Sequence, residues 1–169
     1  MNKKEVQKRV LRNGKPLDLD KFEWDEKARV FSTIENHLVI DFSEISYCTF
    51  KTGSCCTFTT GSGCTFKTGS DCTFKTGSCC TFAANSYCTF NTDSDCTFNT
   101  SYDCTFNTGS DCTFKTGSDC TFNTDSDCTF KTKENCVCIR RDIYEIIEIP
   151  KDTKIKLNRW GTKGYSVVE

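Results

Sequence analysis

The cysteines at 48, 56, 64, 72, 80, 88, 96, 104, 112, 120, 128 and 136 are always eight residues apart. All but the last open a Cys-Thr-Phe triplet. A strict short period constrains the fold more than any other feature, because each repeat is a unit that buries its apolar face only against its neighbours. The unit reads x-Cys-Thr-Phe-(Lys/Asn)-Thr-Gly-Ser, as in Asp111-Cys112-Thr113-Phe114-Lys115-Thr116-Gly117-Ser118. Only Cys55, Cys79 and Cys138 lie outside the cysteine phase.

Within x-Cys-Thr-Phe-x, strand alternation sends Cys and Phe to one face, and Thr with Lys or Asn to the other. Thr and Phe favour strands. Thr-Gly-Ser-Asp is turn chemistry, with Gly supplying the left-handed residue. The Gly slot varies to Asn85, Asp93, Ser101 and Asp125. Asn and Asp are the residues that tolerate that conformation next best.

A short strand and a turn do not close a coil in eight residues. Two units give a two-sided coil of sixteen, three a triangular coil of twenty-four. Two is the preferred reading. Facing strands then run in opposite directions, which sets the Phe of one over the Cys of the other in a core ~10 Å thick. Asn107, Lys115, Asn123 and Lys131 alternate, as two differing sides would. The expected fold is all-β: a right- or left-handed two-sided β-solenoid of octapeptide repeats with small β-rich caps. About six coils at ~4.8 Å make a rod roughly 30 Å long.

The chain divides into an N-terminal cap with the first degenerate coils (1–46), the octapeptide solenoid (47–135) and a C-terminal cap (136–169). The phase extends into both flanks. Ser32-Thr33-Ile34 and Ile40-Asp41-Phe42 fall in the Cys-Thr-Phe slots before the array, and Cys136-Val137-Cys138 and Tyr144-Glu145-Ile146 in those after it. Lys3 to Arg9 reads as helical. Asn13-Gly14 marks a hairpin, and Asp25-Glu26-Lys27 a second. Pro150-Lys151-Asp152-Thr153 marks a third, between Ile143–Ile149 and Ile155–Leu157. Tyr165-Ser166-Val167-Val168 reads as a last strand.

Net charge is −1 and evenly spread: nine basic and nine acidic residues in 1–46, six and nine in 47–135, seven and five in 136–169. This gives no bias toward nucleic acid or anionic membrane. Met1 to Arg12 lacks the apolar core of a signal peptide, and no stretch approaches the ~20 apolar residues of a membrane span. The fifteen cysteines recur at one step, unlike a disulfide framework. They read as free thiols in a reducing, cytoplasmic compartment.

The cysteine ladder is the one feature with chemical potential. Stacked thiols bind soft metals such as Cu(I) or Zn in suitable geometry; the simpler reading is small apolar packing residues. Cys55 and Cys79 stand in the slot usually held by Asp and read as solvent-facing, either reactive or drifted at a turn. The outward column Thr49, Thr57, Thr65 resembles an ice-binding face. It lacks a second aligned Thr row, since Lys67, Lys75, Asn99 and Asn107 hold the neighbouring slot. His37 reads as a cap residue, and Trp24 and Trp160 as cap packing. Neither paired carboxylates in a motif nor a phosphate loop or nucleophile elbow is present, so no catalytic, cofactor-binding or metal site is assigned.

The Cys-Thr-Phe-(Lys/Asn)-Thr-Gly-Ser octads resemble the uncharacterised octapeptide-repeat proteins of tailed bacteriophages. The flanks Gly14-Lys15-Pro16-Leu17-Asp18-Leu19-Asp20-Lys21-Phe22 and Cys138-Ile139-Arg140-Arg141-Asp142-Ile143 are similar too. The resemblance implies a β-solenoid in a virion or host cytoplasm and brings no activity, cofactor or site residue with it. The expected function is a non-enzymatic structural or protein-interaction module, with an unknown protein or itself as partner and neither nucleic acid nor membrane. Alternatives are a self-assembling fibre subunit and a thiol-based soft-metal-binding protein.

Overall fold

The computed structural model describes residues 1–169, and the chain is almost entirely β. Successive octads enter two sheets in turn. Sheet A contains the strands beginning at Thr57, Thr73, Thr89, Thr105 and Thr121. Sheet B contains those beginning at Thr49, Thr65, Thr81, Thr97, Thr113 and Thr129. Pairing within the array is parallel with a step of sixteen residues: Thr81 with Thr97, Thr97 with Thr113, Thr89 with Thr105. The coil is therefore two-sided. Phe98 stacks on Phe82 and Phe114, each at 4.9 Å; the triangular arrangement would have stacked it on Phe122. Leu38–Phe42 and Val137–Arg140 extend sheet A, and Val30–Ser32 extends sheet B, giving seven parallel strands in each.

Phe does not lie over Cys. Alternation runs one residue further than the sequence reading took it, so Cys, Phe and the second Thr of each unit all face inward. Thr108 is 1% exposed and Thr124 0%. Between oppositely directed strands, a Cys-Phe-Thr triplet meets Thr-Phe-Cys. The central Phe then meets Phe. Phe98 lies edge to face with Phe90 at 5.2 Å and with Phe106 at 5.1 Å. Cys meets Thr, as the Thr76 hydroxyl does with Cys80 and Thr92 with Cys96.

The turn also has a different cause. The left-handed residue is the one before Cys: Asp71, Asp95 and Asp111 have φ of 58°, 60° and 58°. Asp suits that conformation, and its N–H runs along the axis, as from Asp111 to the Ser126 carbonyl at 3.2 Å. The Gly slot serves close approach instead. A Cβ on Gly69 would meet Ser54 Oγ at 2.1 Å, and one on Gly109 would meet Ser94 Oγ at 2.3 Å. Those hydroxyls accept from the N–H groups of Ser70 and Ser110 at 3.0 and 3.1 Å.

The caps depart from the octad phase. Phe31 pairs with Phe50 and Ile40 with Phe58, so Phe31 and Ile40 take the Phe slots, and Ile34 is 92% exposed. Longer turns before the array shift the register by three and two residues relative to the sixteen-residue step. Cys138 holds its phase beside Phe122. Tyr144-Glu145-Ile146 does not. Glu145–Glu148 folds back antiparallel on Val137–Arg140, and Tyr144 is 93% exposed.

The third expected hairpin is also absent. The Pro150–Thr153 turn crosses to sheet B, where Lys154–Leu157 pairs with Thr129–Lys131 and Tyr165–Val167 pairs with it. Two sheets end together here, and each open edge takes its own strand. At the other end the Asn13-Gly14 hairpin closes sheet A and Glu23–Asp25 closes sheet B. The helix is Lys3–Gln7, started by a capping box between Asn2 and Glu5.

Candidate functional site

Outward parity leaves three columns on each sheet: the residue before Cys, the first Thr, and the residue after Phe. On sheet A the last column contains Asn91, Asn107 and Asn123 in register. On sheet B it contains Lys51, Lys67, Lys115 and Lys131, and the cap adds Lys154 beside Lys131 and Lys156 beside Thr129. The Asn–Lys alternation of the sequence thus makes sheet A mainly an amide face, interrupted by Thr59 and Lys75, and sheet B mainly a cationic one, interrupted by Ala83 and Asn99. The first-Thr column is exposed, as expected, and the second Thr column, which sequence reasoning assigned to the turn, is core. Its signal was the unchanged spacing of two from Phe.

The thiols form two buried columns. Every cysteine is free, and all in-phase ones are buried. Their S–H groups donate weakly to carbonyls, as from Cys72 to Ser70 at 3.4 Å and from Cys120 to Ser118 at 3.3 Å. Burial pushes the Cys138 thiol up to about 11. Hydrogen bonding to Cys112, then burial, raises Cys96 to about 11 despite opposing bonds. Along sheet A, bonds between successive thiols lower Cys72 and raise Cys56 and Cys88, because the column shares its protons. No three His, Cys, Asp or Glu side chains are grouped to hold a metal ion. Thiol counting in denaturant without reductant is expected to find nearly all fifteen cysteines in protein freshly made in a reducing cytosol. Recovery of fewer than half would defeat that reading.

Cys55 and Cys79 lie in opposite turns, Cys79 exposed and Cys55 half-buried, with φ of 57° and 60°. The slot is not permissive, since it demands the left-handed conformation in every coil. At Gly63 the same slot is left bare, because a Cβ would come within 2.5 Å of the Tyr47 ring. His37 is exposed with φ of 58°. Trp24 packs in the cap and donates to the Met1 carbonyl at 2.7 Å. Trp160, expected to pack, is 67% exposed. Arg140, which no motif marked, takes an inward Thr slot and is wholly buried. It pairs with Asp142 at 2.7 Å and donates to the Thr162 carbonyl at 2.6 Å, tying down the C-terminal loop. Burial raises the Asp142 carboxyl, and the Arg140 and Gly161 donors outweigh it, leaving it below the usual range.

The surface depressions are open grooves; one of about 540 Å³ is lined by Asn99, Tyr102, Lys115 and Lys133. No helix is long and apolar enough to cross a membrane. No protein-family model matches the sequence, and neither a curated protein nor a solved structure matches it.

Proposed function

We propose that the chain is a non-enzymatic structural or protein-interaction module, a rigid rod presenting fixed columns of side chains. The observation that supports this most is the unbroken register, which holds each outward Thr, Asn and Lys one strand spacing from its equivalent. Repeat rods of this kind act through extended surfaces. The end-to-end fibre reading ranks lower. The terminal strands are antiparallel, with Pro16 in one and Glu23 and Asp25 in another, and such residues oppose edge pairing. The likeness to phage octapeptide-repeat proteins supports a setting in a virion or an infected cytoplasm.

Affinity capture from host lysate tests the reading. Wild type is expected to retain a discrete protein that is lost when either outward face is charge-altered, by Lys115→Glu with Lys131→Glu or by Thr105→Lys. Turnover of a substrate that depends on one surface residue would overturn it, as would capture indifferent to every outward substitution.

A further inference from the structure

We propose that the outer face of sheet A docks a second copy of this chain, the two rods lying side by side and parallel. This rests on the interaction-module reading and names the partner. The two faces differ in what they can bury. Sheet B carries the six exposed lysines described above, and burying unpaired cations is costly. Sheet A carries Lys75 in its repeat coils, and from the cap Arg141, which donates to Asn107 and is already paired with Asp125. Its exposed face is apolar toward both ends. Val39 is 50% exposed near the N-terminal cap; Ile139 and Ile146, paired directly across strands, are 39% and 72% exposed near the other. Between these few apolar side chains the face presents its Thr, Asn and Asp columns.

Symmetry selects the arrangement. A two-fold axis parallel to the rod and over the Thr column keeps each coil level with its copy and exchanges the flanking columns. The residue before each Cys then faces the residue after Phe in the other chain. Asp71 meets Lys75 of the second copy. In the first coil, where Val39 pairs with Thr57, His37 meets Asp41 of the second copy. Asp103 and Asp119 meet amides, Asn107 and Asn123. The middle column meets itself, Thr on Thr with valine at each end. One like-charge contact remains, at the last strand, where exposed Glu148 stands in the middle column beside Val137 and meets its own copy. A two-fold axis along the strands would reverse one rod, set Asp71 against Asp103 and leave Lys75 facing Asn107. The parallel pair is the self-complementary one, and its isologous contact closes as a dimer.

Seven coils at ~4.8 Å and a strand width of about 13 Å give roughly 450 Å² per copy, below the specific-interface range and in that of weak, transient contacts. A weak dimer, weakened further by salt, is therefore expected. Light scattering and sedimentation of the purified full chain across the micromolar range test it. Thr105→Lys puts a charge on the two-fold axis and is expected to raise the dissociation constant by at least about tenfold. The same change on sheet B, Thr97→Lys, leaves it unaltered and controls for folding. Lys75→Asp weakens the dimer, and adding Asp71→Lys restores it. A monomer at every concentration overturns the proposal. So does a dimer that Thr97→Lys breaks and Thr105→Lys spares, or association that appears only with added polyanion. A monomeric wild type that still captures a host protein refutes the dimer alone, and a dimer that captures none refutes the module reading alone.

Discussion

Deleting the single octad Asp111 to Ser118 is expected to cost more stability than deleting the sixteen residues Asp103 to Ser118, which shortens the rod and keeps both faces in register. Each octad supplies one side of a coil, and every step within a sheet is sixteen residues. Removing sixteen joins like to like: sheet order, the Phe stacks and both caps survive with one coil fewer. Removing eight sends every later strand to the opposite sheet. Val137–Arg140 then enters sheet B, and the cap, which keeps its neighbours Thr129–Lys131 and Val137–Arg140, turns half way round the rod, so that the Asn and Lys columns are mixed at the junction. Arg140 moves together with its partner Asp142, so that buried pair is kept in both deletions. The check is a cooperative thermal transition followed by circular dichroism. The sixteen-residue deletion is expected to retain one at a somewhat lower midpoint, since repeat stability grows with neighbour contacts. Equal stability of the two deletions would remove the main support for alternating sides.

Phe98→Ala is expected to destabilise by about 3–5 kcal/mol, with Thr97→Ala costing little. The Phe98 ring is 1% exposed and touches four others: two stacked at 4.9 Å and two edge to face at 5.2 and 5.1 Å. Its loss opens a cavity and breaks both aromatic geometries, each pair contributing about 0.5–1.5 kcal/mol beyond burial. Thr97, on the outward side of the same strand, loses only a solvated hydroxyl. Equal shifts in urea midpoint for the two variants would contradict the assigned faces.

Period and parity were legible in the sequence, because both are properties of one strand. Eight-residue spacing made a solenoid the economical fold, and alternation placed Cys112 and Phe114 inside and Thr113 and Lys115 outside. The alternation of Asn107, Lys115, Asn123 and Lys131 disclosed two unlike faces. The hairpin signal at Asn13-Gly14 was equally local. What failed depends on where separate segments meet. Phe opposite Phe follows from counting a third inward residue, Thr116 or Thr124, whose burial is set by the strand across the core. Gly69 is small because Ser54 belongs to the neighbouring coil, a contact no local turn rule contains. The caps shifted register because Phe31 and Ile40 settled against Phe50 and Phe58, and burying a ring outweighs keeping an eight-residue phase. The sequence by itself determined the coil and its two faces. The pairing across the core, the turn that carries the left-handed residue and the closing of both ends were decided by tertiary structure, since each is a contact between residues a coil or more apart.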